Sequence, residues 1–138
     1  MKIAEWEAVG PVSGLVEKQV AMLGAKEYAS HVARDAETGR LRILVAADLG
    51  LLDYTYAPSA GADSPWTLHG RFNTWKSVKS LRLQSDAQLE EYSQEGRSVW
   101  RLLIEEPKAE LSADSKGTDE HSEQALLEFA QACIQSAG

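Results

Sequence analysis

The spacing of hydrophobic residues near the start of the chain predicts a short amphipathic helix. Over residues 11–24 the apolar positions recur three or four residues apart, which is the period of one helix face. Pro11 suits the first turn of a helix and Gly24 suits its end. We therefore expect a helix over 11–24 that lies on an apolar surface. Its apolar positions are Val12, Leu15, Val16, Val20 and Leu23.

From Tyr28 onward the pattern changes to a period of two, which is typical of strands. Residues 41–45 alternate and are rich in β-branched side chains, so they predict one strand. Asp48-Leu49-Gly50 then predicts a tight reversal with Gly50 in the left-handed conformation. Residues 51–56 form the expected return strand, and 57–65 have the composition of a loop.

Residues 66–73 show the most regular alternation of apolar and polar positions in the chain. We expect a strand here with one face directed into the core and the other into solvent. The inward face carries Trp66, Leu68, Gly70 and Phe72, and the outward face carries Thr67, His69, Arg71 and Asn73.

The following segments predict further strands with breaks between them. The phase of the pattern changes over 75–83, which indicates a turn or bulge that leads into another strand. Residues 86–96 are polar and predict either a helical turn or a loop. Residues 99–104 predict a strand, with Trp100 on its core face, and 109–111 a last short one.

The chain ends in a segment with clear helical periodicity, over 118–137. Thr118 and Asp119 are the two residues that suit its N-cap, because their side-chain oxygens accept from backbone N–H groups. The apolar stripe consists of Leu126, Phe129, Ala130, Cys133, Ile134 and Ala137.

This order of elements predicts a single domain, 1–138, that is mainly β with α (α+β). It has an N-terminal helical extension at 1–27, antiparallel strands over 28–111 and a C-terminal capping helix over 118–137. A long antiparallel sheet tends to curl, and closure removes its edges. We therefore expect a curled sheet or a small barrel, with the last helix over one open end.

The runs LRILVAADLGLLDYTY, WTLHGRFNTWKSVKSLRLQ and SVWRLLIEE, followed by a helix that contains EQALLEFAQACI, resemble the pleckstrin-homology-like superfold. Residues 75–83 are similar to a join seen in bacterial members of that superfold. The resemblance spans roughly residues 28–136 and implies a small barrel with a capping helix, with an open α+β sheet as the alternative. The superfold hosts phosphoinositide binding, peptide binding and scaffolding, so it does not select a function.

Composition and charge exclude several classes of protein. The net charge is −7 and the pI is near 4.9, which argues against a general nucleic-acid binder. A single cysteine excludes a disulfide framework. No apolar run is long enough for a transmembrane helix, and the N-terminus lacks a signal-peptide pattern, so we expect a cytoplasmic protein.

One stretch departs from the acidic composition, because residues 64–85 carry four basic residues and no acidic one. Together with His69, which lies on the same predicted strand as Arg71, these side chains are the candidate site for a phosphate or an acidic peptide. The alternative is that they offset carboxylates elsewhere or pair across strands. The candidate ligand-binding residues are His69, Arg71, Lys76, Lys79 and Arg82.

No motif for nucleotide binding, metal ligation or nucleophilic catalysis stands out, and no cofactor is implied. Cys133 lies on an apolar stripe and is expected to act as a small hydrophobe. Trp6 packs either on its own domain or on a partner. We expect a non-catalytic interaction domain that binds protein or self-associates. The alternatives are a binder of an anionic ligand or phospholipid headgroup, and a small enzyme whose site contains His69 or His31 beside a carboxylate.

Overall fold

The structure, a computed structural model, describes residues 1–58, 65–89 and 96–138. Within these residues the chain forms two helices and seven strands, and short 3-10 turns accompany both helices. The elements are α1 (Val12–Met22), β1 (Glu27–Arg34), β2 (Leu41–Ala47), β3 (Gly50–Ala57), β4 (Thr67–Thr74), β5 (Arg82–Leu89), β6 (Gly96–Ile104), β7 (Ala109–Asp114) and α2 (Glu123–Ala137). The predicted α+β class and the antiparallel strands are confirmed.

The strands form two antiparallel sheets and not a closed barrel. One sheet has the order β1-β2-β3-β4 and the other β5-β6-β7. The ladder stops between them because the chain after β4 enters a 3-10 turn, Trp75–Ser77. The indole of Trp75 in that turn donates a hydrogen bond to the carbonyl of Ala47, at 2.9 Å. The turn is thereby tied to the end of β2, and β5 starts in a separate sheet.

The four-stranded sheet is covered on both of its faces, which explains why β2 is apolar almost throughout. On one face Ile43 and Val45 pack against α1 and the N-terminal segment. On the other face Leu44 and Ala46 pack against β6, β7 and α2. The side chains of a strand alternate between the faces of a sheet, so a strand buried on both faces loses its polar positions.

The predicted alternation along β4 is confirmed, but its apolar face is not in the core. Phe72 lies opposite Leu52 and Leu68 lies opposite Tyr56, so these residues share a face as expected. However, Trp66 is 50% exposed and Phe72 is 42% exposed. The buried cluster on this face is built from α1, the N-terminal segment and strands β1 to β3. Because β4 is the last strand of the sheet, it extends beyond that cover.

Two other local predictions are wrong. Strand β5 continues to Leu89, so 86–89 are neither a helical turn nor a loop, while 90–95 lie outside the described residues. Gly50 has no left-handed backbone and is the first residue of β3. Glycine is required there because a Cβ atom would lie 2.3 Å from the carbonyl oxygen of Asn73. Of the predicted loop 57–65, residues 59–64 lie outside the described residues.

The C-terminal helix is confirmed, with a later start than predicted. Its N-cap is Ser122, whose hydroxyl accepts a hydrogen bond from the Ala125 N–H at 3.2 Å. Thr118 and Asp119 do not cap it, because a 3-10 turn, Asp119–His121, separates them from the helix. Leu126 and Phe129 are fully buried in the core shared by the two sheets. In the described residues neither helix has the length and hydropathy that a membrane span requires.

Candidate functional site

The predicted basic residues lie on several different elements. His69 and Arg71 are on β4, and Lys76 is in the 3-10 turn that follows it. Lys79 forms an exposed ion pair with Glu106 at 3.8 Å. All of these side chains are exposed. An exposed ion pair of this kind is worth little to stability, so Lys79 keeps most of its freedom.

Arg82 is in the second sheet and lines a different part of the surface from Arg71. It borders an open cleft of about 910 Å³. The other charged residues of this cleft are Arg42, Lys108, Glu105 and Glu110. The two carboxylates offset two of the cations, so the cleft is not a strong anion site. The basic residues of the two sheets lie on separate surfaces and do not converge on one anion site. Anion binding through all of them stays a prediction.

Arg71 is a cation that has no ion-pair partner among the described residues. Its cross-strand neighbour is Asp53, the natural candidate for such a pair. However, the Asp53 carboxylate is held by Arg42, with hydrogen bonds of 3.0 and 2.7 Å from the guanidinium Nε and Nη2. This pair is bidentate and half-buried, which is the favourable geometry for arginine and a carboxylate. Arg71 is therefore left available to another anionic group.

Trp6 packs inside its own chain, which is the first of the two alternatives for this residue. Its indole is 1% exposed and contacts the imidazole of His31 edge to face, with ring centroids 5.1 Å apart. A side chain buried in this way has no surface to offer to a partner. Trp6 thus contributes to the packing of its own chain. Its burial does not support the prediction that it contacts a partner.

The clearest concave apolar surface lies between the end of α1 and the outer half of the first sheet. We call it the α1–β4 groove. Its volume is about 470 Å³, and no carboxylate is among the described residues that line it. Those residues are Gln19, Met22 and Leu23 from α1 and its end, Leu52 and Tyr54 from β3, and Leu68, Gly70, Arg71 and Phe72 from β4.

The floor of the groove is rigid because two contacts fix the Tyr54 ring. The ring lies so close to Gly70 that a Cβ atom there would be 2.5 Å from it. The hydroxyl of Tyr54 donates a hydrogen bond to the side-chain oxygen of Gln19, at 2.8 Å, and so joins β3 to α1. Burial raises the pKa of Tyr54, which keeps this hydroxyl protonated. The groove is thus preformed and does not depend on a ligand for its shape.

The walls of the groove carry apolar side chains that are open to solvent. Met22 is 76% exposed and Leu23 is 47% exposed at the end of α1, opposite Phe72 on β4. Trp66 lies immediately before β4, where its ring packs on Tyr56 with centroids 6.3 Å apart. Large apolar side chains gathered on one concave surface indicate an interaction site more strongly than scattered ones.

Two of the groups that were candidates for chemistry, His31 and Cys133, are buried and do not line this groove. His31 is 2% exposed, and burial lowers its pKa to about 4, with smaller contributions from His121 and the N-terminal amino group. Cys133 is fully buried, and burial raises the pKa of its thiol to about 12. His69 is exposed on β4, in keeping with its predicted outward face. Among the described residues no group of three or more metal-ligating side chains has a geometry that would hold an ion.

Comparison with protein-family models, with curated proteins and with solved structures finds no match to this chain. The site therefore stands on its own geometry. Sequence reasoning identified β4 and its basic residues, but it missed α1 as the second wall of the groove. The available signal was the helical spacing of Leu15, Met22 and Leu23, which extends the apolar stripe beyond the width that one buried face needs.

Proposed function

We propose that this protein is an interaction domain that binds a segment of a partner protein in the α1–β4 groove. The observation that carries the proposal is the exposure of Met22, Leu23 and Phe72 on facing walls of one preformed groove. Methionine, aromatic residues and arginine are the side chains enriched in protein interfaces. The groove contains all three kinds, and its volume suits a few partner side chains.

Charge supports a protein segment over the other occupants. The chain carries a net charge of −7, which opposes close approach to an anionic membrane. The groove itself is bordered by Arg71 and has no acidic lining residue. A partner segment with apolar and acidic side chains fits both features. A lipid surface would meet the repulsion of the whole chain.

The direct test is a selection of peptides from a display library of random twelve-residue sequences against the immobilised full chain. We expect the selected peptides to be apolar and acidic and to bind the chain in solution. The double variant Met22→Ser, Phe72→Ser should weaken them by at least about tenfold, because it removes two apolar contacts. Both side chains are exposed, so the fold should tolerate these changes.

A matched control is Leu49→Ser, because Leu49 is 51% exposed in the turn between β2 and β3, away from the groove lining. It should leave peptide binding unchanged. The proposal is wrong if no peptide is selected, or if the groove variant and the control bind equally. It is also wrong if the groove variant abolishes instead a dimer seen by sedimentation, or binding to phosphatidylserine vesicles, since the occupant would then be a second copy or a membrane.

A further inference from the structure

We propose that the occupant of the α1–β4 groove is an extended segment that adds to the free edge of β4 as a fifth strand. Its side chains alternate between apolar ones, which enter the groove, and acidic ones, which face Arg71. This inference rests on the proposed function and specifies how the partner is recognised.

The two outer edges of the first sheet, on β1 and on β4, differ in the contacts that other parts of the chain make with them. The edge of β1 is covered by the N-terminal segment, because the Ser30 N–H donates to the carbonyl of Met1 at 2.8 Å. The Ile3 N–H in turn donates to the carboxylate of Glu27, at 2.6 Å. The amino group of Met1 also pairs with Glu128, at 3.1 Å. These contacts keep another strand away from β1.

The edge of β4 carries the charge of Arg71 but, within the described residues, no bulge and no proline. Among the described strands β4 has only β3 beside it, and the two pair without a register shift from Gly50 to Ala57. Strand β4 is eight residues long and contains no proline. Proteins normally block an exposed edge with a bulge, a proline or an inward-facing charge, because a regular edge is a template for another strand. A regular edge next to an apolar groove is therefore the kind of surface that binds an extended segment.

The side chains of β4 that face the groove determine which positions of the partner segment must be apolar. Leu68, Gly70 and Phe72 face the groove, in register with the side chains of β3. An added strand would continue this face and place every second side chain beside them. Those side chains would also meet Met22 and Leu23 across the groove. They must be apolar to cover surface that is now exposed.

The opposite side of β4 determines the other half. Arg71 lies on this side with His69, and the Asp53 carboxylate that would neutralise it is already paired with Arg42. Side chains of opposite charge that face each other on neighbouring strands stabilise the pair, and like charges destabilise it. The alternate positions of the partner should therefore be acidic. A second copy that paired β4 with β4 would instead bring two positively charged edges together.

The experiment uses capped eight-residue peptides whose affinity for the full chain is measured by fluorescence anisotropy. In the first peptide leucine and valine alternate with glutamate, and in the second they alternate with lysine. We expect the glutamate peptide to bind at least about fivefold more tightly, from the sum of cross-strand charge contacts. Arg71→Glu should reverse this preference. Lys76→Glu changes the charge equally but lies outside β4, so it should preserve the preference.

Two further peptides test the backbone contact. Each carries N-methyl groups on every second amide of the glutamate peptide, in one of the two possible phases. An added strand directs only one set of amides towards β4, so one methylated peptide should lose at least about tenfold in affinity and the other should keep it.

The outcomes separate this inference from the proposed function. Equal effects of the two methylation phases, or an unchanged preference in Arg71→Glu, would overturn strand addition. If Met22→Ser, Phe72→Ser still weakened those peptides, the groove would remain the binding site. If none of the peptides bound, strand addition would be refuted, and the display selection would decide separately whether the groove binds protein segments at all.

Discussion

The imidazole of His31 makes the stability of this protein depend on pH, and replacing it by leucine tests that prediction. His31 lies on β1 and is enclosed by the rings of Trp6, at 5.1 Å, and Phe129, at 6.0 Å. Its Nδ1 atom is buried and has no hydrogen-bond partner among the described residues. Leucine has a similar size and no charge, so His31→Leu removes the titration and keeps the packing.

The direction of this pH dependence follows from which state of the chain, folded or unfolded, binds the proton more readily. Burial holds the pKa of folded His31 at about 4, while the unfolded value is 6.5. The unfolded chain therefore binds a proton as pH falls below 6.5, and the folded chain does not until about 4. The free energy of unfolding therefore keeps its full value, as far as His31 is concerned, above pH 6.5, and it falls progressively down to about pH 4. Since each pKa unit corresponds to about 1.4 kcal/mol, the full effect is roughly 3 kcal/mol.

The assay is urea denaturation of both proteins at pH 7.5 and pH 4.5. Glu27, Glu120 and Glu128 accept hydrogen bonds from the N-terminal segment. They are present in both proteins, so their contribution cancels in the difference. We expect wild type to lose roughly 2 to 3 kcal/mol more than His31→Leu between these two pH values. At pH 7.5 the two should agree within about 1 kcal/mol, because leucine leaves no unsatisfied nitrogen.

Parallel losses of stability in wild type and His31→Leu would refute the reasoning, because they would mean that His31 is not kept neutral by the fold. A matched control is His121→Gln, since that imidazole is exposed. His121 contributes less than burial to the low pKa of His31, so this variant should keep most of the wild-type pH dependence. Titration of the His31 ring protons by NMR gives the folded pKa directly.

Three further changes test the packing and the ends of the elements. Ser122→Ala should cost about 1 kcal/mol in urea denaturation, because the Ala125 N–H loses its capping acceptor. Gly70→Ala should cost about 1 to 3 kcal/mol and speed amide hydrogen exchange along β4, because the new Cβ atom would collide with the Tyr54 ring at 2.5 Å. The thiol of Cys133 should not react with a maleimide at pH 8 until urea unfolds the chain, because it is buried and burial raises its pKa to about 12.

The helices and strands in which apolar residues recur at a regular spacing could be predicted from the sequence. The spacing over 11–24 predicts α1, and the positive φ of Gly24 confirms the reason for its end. The alternation over 66–73 predicts β4 and the face of each side chain. The division into two sheets was not predictable, because the break after β4 involves a hydrogen bond between Trp75 and Ala47, which lie far apart in the chain.

The candidate site was predictable only in part, for a related reason. Alternation shows which side chains share a face, but it does not show whether another element covers that face. The Phe72 face of β4 would be core if α1 extended over it, and it is exposed because the helix covers the strands before it. The number of strands that α1 covers depends on the position of the helix on the sheet. This position is set by tertiary packing and is not encoded in a local sequence pattern.

The apolar residue Phe72 and the basic residue Arg71 are neighbours on β4 and point to opposite faces of the strand. Both residues nevertheless border the α1–β4 groove. A segment that runs along the edge of β4 contacts both, because its own side chains alternate between the same two faces. Residues 64–85 contain no acidic residue, so no carboxylate of this stretch competes for Arg71, and the Asp53 carboxylate is already paired with Arg42.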